Sequence, residues 1–267
     1  HLEQKEGPLK YNGVVYNEMK GAFSSPDEVL EREIMNHLFP DTTYGCESGG
    51  DPKNIPDLTY ENFLNFHRTY YHPSNSYIYL YGNMDMEEKL AFLDEHYLSH
   101  FDYLDVDSVI QEQKAFGACQ DVTLEYPVAE NEGEEDNTYL SYNMVVGNAA
   151  DSQMAMAFEV LDYALLSAPG APLKQALLDV KAGKDVYGSY DDGILQPYFT
   201  VIAKGSNPDR KEEFVSVIRQ VLGDIVKNGI DRKAVEAGIN YFEFRYREAD
   251  FSFYPKGLMY SLDILGD

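Results

Sequence analysis

Two stretches, YIYLYGNMDMEEKLAFLDEHY (77–97) and YFTVIAKGSNPDRKEEFVSVI (198–218), have the same local grammar. Each begins with an alternating run rich in Tyr, Ile or Val, crosses a short turn, and enters a helix-like segment. Apolar residues recurring at period two cover one face of a strand, whereas a period near 3.6 covers one stripe of a helix. A chain carrying both, once in each half, is constrained to an α+β architecture. Helices must then bury their stripes on mainly antiparallel sheets. The repeated unit favours two structurally related domains.

The segments between follow the same logic. In SSPDEVLEREIMNHLFP (24–40), Ser25 reads as N-cap, Pro26 as first helical residue and Glu28 as capping-box acid, with Leu30, Ile34 and Leu38 every fourth residue. A glycine- and proline-rich loop follows over 43–57. Thr59 then caps a helix that closes at His72-Pro73, and Asp85 caps another reaching about Tyr97. SYIYLYG (76–82), DVTLEYPV (121–128), TYLSYNMVV (138–146) and QPYFTVIAKG (196–205) read as strands. The acidic turn AENEGEED (129–136) reads as a solvated hairpin loop. Helices are expected over 151–166, 168–179, 208–228 and 231–247, with another beginning near Pro255. Met154 and Met156 are expected to pack in a core. Periodicity fails from Leu104 to about Ala118. The expected division is therefore 1–104, a linker at 105–116, a second domain at 117–248 and a helical extension at 249–267.

Composition narrows the function. A net charge of −25 leaves no basic stripe to neutralise phosphates, which argues against nucleic acid and would attract basic ligands. No apolar run approaches the roughly 18 residues of a membrane span. Cys46 and Cys119 have neither metal-ligand spacing nor a disulfide framework, so a reducing compartment is expected: the cytoplasm, with the mitochondrial matrix as the alternative. The chain starts at His1 and stops inside the helical pattern of SLDILGD, so both ends read as cut and the chain as part of a longer one.

Among candidate sites, GVVYNEMKG (13–21) places Glu18 on a helix face shared with Val14, Val15 and Ala22. An acid aimed from its own apolar stripe needs a cation, a metal or a proton as partner, unless the side chain reaches water or the turn frays. His96 and His100 stand at the i, i+4 spacing by which helices hold zinc, although Tyr97 occupies the place where such a motif carries its base. His67 and His72, five apart, read as packing or capping residues. No nucleophile elbow and no P-loop occurs.

Longer blocks carry more. YNGVVYNEMKGAFSSPDEVL (11–30) and LFPDTTYGCESGGDPKNIPDLTYENFLNFHRTYYHPSNSYIYLYGNMD (38–85) resemble the presequence-protease branch of the pitrilysin/insulinase zinc metallopeptidases. So do LDYALLSAPGAPLKQALLD (161–179), ILQPYF (194–199) and AVEAGINYFEFRYREADFSFYPKGL (234–258). The resemblance implies two domains of the mitochondrial-processing-peptidase-like metallohydrolase type, the first incomplete, and a parent that degrades unstructured, basic peptides in a closed chamber. It maps the family's third zinc ligand onto Glu18, which would face inward to meet two imidazoles of an inverted H-x-x-E-H motif. That motif is absent from this chain and is expected upstream of His1. By this reading the chain alone neither hydrolyses peptides nor holds stoichiometric zinc, and its partner is the C-terminal half of the same polypeptide. A non-catalytic, peptide-binding or structural homologue is the alternative. A different metalloprotein using His96 and His100 is another.

Overall fold

The computed structural model describes residues 7–128, 133–249 and 251–266. They form two compact units that are discontinuous in sequence: 7–25, 46–111 and 251–266 in one, 26–45, 112–128 and 133–249 in the other. The fold class is α+β. Of the hairpin loop expected at 129–136, residues 129–132 lie outside the described residues.

The second unit is organised by one strand. In β3 (Tyr198–Ser206) the odd residues Phe199, Val201 and Ala203 join the main core, while Tyr198 and Ile202 enter a smaller cluster on the opposite face. A strand buried on both sides must sit at the centre of its sheet, and β3 lies between β1 (Thr138–Val145) and β2 (Asp185–Asp191), antiparallel to both. Val201 pairs with Tyr142 on one side and with Gly188 on the other. The main core is closed by α6 (Pro172–Asp179) through Leu173 and Leu177, and by α7 (Lys211–Asn228) through Phe214 and Ile218. On the other face α2 (Pro26–Leu38) presents Ile34, with Phe39 just beyond it. Three layers result, helix on sheet on helices. Gly188 is required by this packing, because a Cβ there would lie 2.2 Å from the Thr200 carbonyl oxygen and 2.5 Å from a Leu166 methyl.

The helix α5 (Ser152–Asp162), capped by Asp151 on the Met154 amide (3.1 Å), runs into a π-helical turn at Tyr163–Ser167. The π turn supplies the buried residues Ala164, Leu165 and Leu166, and Phe158 and Leu161 of α5 pack against the same core. Met154 and Met156 are exposed, contrary to the expected core role, because α5 turns Phe158 and Leu161 to the core instead. The long helix α8 (Arg232–Glu248) packs on α5, with Gly238 against Val160 and Tyr163, and Tyr163 stacked on Tyr241 at 5.0 Å. Gln113, inside the expected linker, is buried. Its amide group is fixed by Asp41, and its backbone N–H donates to Gln196 Oε1 at 2.5 Å.

The first unit holds α1 (Val14–Ala22), α3 (Tyr60–Tyr70), α4 (Met86–His96) and α9 (Lys256–Gly266). The caps expected from sequence form: Thr59 accepts from the Asn62 amide and Asp85 from the Glu88 amide, each at 3.1 Å. No strand occurs among its described residues, so the sheet expected in the first domain is missing. SYIYLYG lacks a ladder partner, with Tyr77 89% exposed, and DVTLEYPV in the second unit is likewise unpaired. Alternation makes a surface suited to a sheet, but a strand exists only where another backbone accepts its hydrogen bonds. Conversely β2, DVYGSYD, escapes sequence reading: it is polar and carries Gly188, and its pairing with β3 decides its state.

Candidate functional site

The residue singled out by sequence lies on α1. The face of this helix bearing Tyr16 and Met19, spaced i and i+3, is half-buried, with Lys20 exposed beside it. Met19 rests directly on Gly49, where an added Cβ would come within 2.3 Å of its sulfur. Tyr16 and Lys20 line a groove of about 330 Å³ with Tyr11, Pro52, Lys53, Pro56 and Asp57. The opposite face, with Val14 (84% exposed), Val15 and Glu18, is open to solvent. Glu18 does share a face with the valines, but that face does not point into the unit. In this chain Glu18 faces solvent, while Tyr16 and Met19 on the other face of α1 are half-buried and Lys20 is exposed. Among the described residues the Glu18 carboxylate has no hydrogen-bond or ion-pair partner.

Zinc needs three protein donors in a catalytic site. No group of three or more His, Cys, Asp or Glu that could hold a metal occurs among the described residues. Among the described residues Glu18 therefore fits as a single donor at most, and these residues do not by themselves fit a zinc ion. The histidine pair fares no better. The helix α4 ends at His96, Tyr97 leaves helical geometry (φ −138°), and His100 sits in the following 3-10 turn, so the two rings do not share one helix face. His96 packs on Phe92 at 4.7 Å. His67 stacks on Tyr71 at 4.8 Å, while His72 accepts from the Ser74 amide and meets Phe101 edge-on at 5.4 Å. Those two are packing and capping residues, as expected.

In the second unit, polar side chains meet at two places that sequence reading missed. Lys204 Nζ donates to both Asp27 oxygens (2.8 and 3.1 Å), and the Tyr187 hydroxyl donates to the same carboxylate at 3.3 Å. The Lys204 ammonium holds the Asp27 carboxyl below the ordinary carboxylate range, and burial pushes the Tyr187 hydroxyl up to about 12. This clamp ties α2 to the sheet. Around α5, burial raises the Glu159 carboxyl against the opposing hydrogen bond from Tyr246 (2.9 Å), and burial pushes Asp162 up to about 6. The Asp162 Oδ1 atom is buried with no hydrogen-bond partner. Both places join residues far apart in sequence, so no local spacing announces them.

Comparison with known proteins places the chain. A family profile described as Peptidase M16 inactive domain matches residues 57–242. The chain is 49% identical over 265 residues to Protein HypA of Clostridium perfringens, covering 99% of this chain and 27% of that protein. It is 37% identical to Presequence protease 1, chloroplastic/mitochondrial, of Arabidopsis thaliana, covering 96% of this chain and 24% of the relative. To the mitochondrial presequence protease of Xenopus laevis it is 32% identical, covering 94% and 25%. Among solved structures, an M16-like peptidase from Alicyclobacillus acidocaldarius superposes with a TM-score of 0.59 at 18% identity, over 88% of this chain and 54% of that one. A peptidase M16 inactive domain from Pseudomonas fluorescens gives 0.59 over 94% and 59%. At such identities these structures speak for the fold alone. The chain belongs to the peptidase M16 family, and the resemblance to the presequence-protease branch is borne out. It spans about a quarter of the length of the curated relatives it matches.

Proposed function

We propose that the chain is one part of a zinc metalloendopeptidase that degrades unstructured peptides in a closed chamber, and that it supplies Glu18 as third metal ligand together with part of the chamber wall. The observation that carries this reading is a solvent-facing carboxylate without a partner, beside two exposed valines, in a chain whose presequence-protease relatives align along nearly all of it. Such a face is suited to being covered. The two histidines and the base of an H-x-x-E-H motif would come from another segment of the same polypeptide, where bound zinc would activate water for attack on a peptide bond. The role of α1 is positional: its Met19–Gly49 seat fixes the helix rotation and so the direction of Glu18.

In this proposal residues 1–104 are the later half of the first peptidase domain, 105–116 a linker, 117–248 a second related domain and 249–267 the start of a helical hairpin. The C-terminal half of the same polypeptide is the partner. The compartment is the cytoplasm, or by analogy with the named relatives the mitochondrial matrix. No helix among the described residues is long and apolar enough to cross a membrane.

Glu18→Gln in the intact polypeptide tests the assignment. Zinc content should fall and turnover nearly vanish, because an amide is a poorer ligand and removes a charge. Wild-type zinc and rate would reduce Glu18 to a helix acid. Basic peptides are the expected substrates, drawn by the −25 charge. Their kcat/KM should fall with rising salt while that of neutral peptides stays flat, since exposed charges are screened beyond about 8 Å at physiological ionic strength.

One observation favours a second reading, a non-catalytic peptide-binding or structural homologue. The family match is to a part described as inactive, and its span of 57–242 does not include Glu18. Zinc analysis of the intact wild-type polypeptide separates the two, because only the enzyme holds a stoichiometric ion.

A further inference from the structure

The groove on the packed side of α1 has a chemistry at odds with the rest of the molecule. Two cations, Lys20 and Lys53, line it together in a chain where 46 acidic residues face 21 basic ones. Neither ammonium has an ion-pair partner among the described residues, and the Tyr11 and Tyr16 hydroxyls lining the same groove have no hydrogen-bond partner there. Elsewhere Lys204 pairs with Asp27 and Lys184 with Asp136. A macrodipole role at the end of α1 would account for Lys20 but not for Lys53, which comes from the loop. Both sides of the groove are held in place. Tyr16 and Lys20 sit one turn apart on a helix seated by Met19 on Gly49. The loop wall is stiffened by Pro52 and Pro56, with the Lys53 amide donating to Asp51 at 2.8 Å.

We propose that this groove is a carboxylate-anchoring peptide subsite. Lys20 and Lys53 receive the carboxylate, and the Tyr11 and Tyr16 rings with Pro52 and Pro56 flank the apolar residue beside it. The volume of about 330 Å³ is at the small end of ligand sites, about 300–1,000 Å³, which suits one or two peptide residues rather than a folded partner. Asp57 on the same lining leaves the groove two positive charges and one negative, which suits a single carboxylate and disfavours polyanions. The negative wall also tolerates a basic side chain next to the anchored group. Tyr16 and Lys20 stand on the face of α1 opposite to Glu18, so this is a surface separate from the proposed metal ligand. The subsite rests on the peptide-handling reading of the parent and not on its zinc.

The test is direct binding to the intact polypeptide with metal chelated, so that neither catalysis nor Glu18 enters the readout. Acetyl-Leu-Phe with a free terminal carboxylate is titrated against the same dipeptide as its amide, and acetyl-Leu-Glu-amide forms a third arm. The free acid should bind about tenfold tighter than the amide, a difference of about 1.4 kcal/mol. That preference should vanish in Lys20→Gln/Lys53→Gln, whose exposed positions leave folding intact, and should shrink in high salt. Acetyl-Leu-Glu-amide binding as tightly as the free acid assigns a side-chain carboxylate, and weak binding assigns a chain terminus. Equal affinities for acid and amide, no binding of any arm, or a preference kept by the double variant would overturn the subsite. A subsite lost while the intact polypeptide keeps Glu18-dependent zinc leaves the peptidase reading standing.

Discussion

The two compact units draw on the same apolar alphabet and reach opposite outcomes. In the second, aromatic and aliphatic residues are taken inside: Phe214 is 1% exposed and Leu173, Leu177, Val186 and Ile218 are fully buried. In the first, residues of the same kinds stay outside, including Phe63, Phe66, Leu90, Phe92 and the tyrosines of SYIYLYG. Every buried apolar residue among those described belongs to the second unit. Composition therefore does not make a core. A sheet does, by fixing helices on a common surface, and β3 with its two neighbours is that sheet. The first unit has the helices and the alternating segment but, among its described residues, no ladder for them to pack on. Exposed apolar surface gathered into large patches is suited to a partner, a ligand or another segment of chain.

The comparison breaks most sharply at Phe214. Phe214→Ala should cost about 3–5 kcal/mol, the range for a large aromatic removed from a closed core. Urea denaturation measures it. A loss under 1 kcal/mol would mean that the core around α7 is no better packed than the first unit. Next in size is Gly188→Ala. The added Cβ would press on the Thr200 carbonyl and Leu166, so β2 must shift, at a cost of about 1–3 kcal/mol. An unchanged midpoint would show that β2 is loosely held and that the three-stranded sheet is not what separates the units.

How far the sequence reveals these outcomes depends on what decides each element. Helix ends are decided within four residues, which is why the caps of α3 and α4 are legible in Thr59 and Asp85. The strands β1 and β3 are legible because both faces of β3 are buried and its apolar run has to be continuous. By contrast β2 is illegible, since Asp185, Gly188, Ser189 and Asp191 have no strand pattern until β3 imposes one. The tyrosines of SYIYLYG mislead in the opposite sense. At the candidate site, spacing places Glu18 with Val14 and Val15 correctly but cannot say which side of α1 is covered, because Gly49 lies thirty-one residues from Glu18 in the chain (49 minus 18). Its metal role comes from family resemblance and from nothing in the local pattern. The pairing of Lys20 with Lys53 is equally invisible until the loop folds back.

A smaller effect concerns Asp162, whose Oδ1 is buried without a hydrogen-bond partner. Burial lifts Asp162 from 3.8 to about 6, against a weaker hydrogen bond from Ser167. A folded-state pKa above the unfolded one means that the native form holds the proton more tightly. The favourable contribution is thus complete below about pH 4. It is lost as pH rises through 6, and a residual cost persists above. Because the side chain is partly wetted, the amplitude should be about 1 kcal/mol. Asp162→Asn should flatten this part of the pH–stability curve and raise stability at pH 7 by a similar amount. A variant retaining the wild-type slope would assign the titration to another group, with Glu159, also raised by burial, the first to examine.

The smallest expected effect is the most informative about the first unit. Phe63, 66% exposed on α3, touches too little in this chain to matter, so Phe63→Ser should change the stability of the isolated chain by no more than about 0.5 kcal/mol. In the intact polypeptide the same change should cost several times as much if another segment covers the α3 surface. Burying a Phe side chain is worth about 1.5–3 kcal/mol relative to leaving it exposed. The paired measurement, one substitution in two lengths of chain, isolates the covering segment from everything else. Equal and small losses in both lengths would leave the aromatic face of the first unit exposed in the whole protein, and its contrast with the second unit would then be a property of the fold itself.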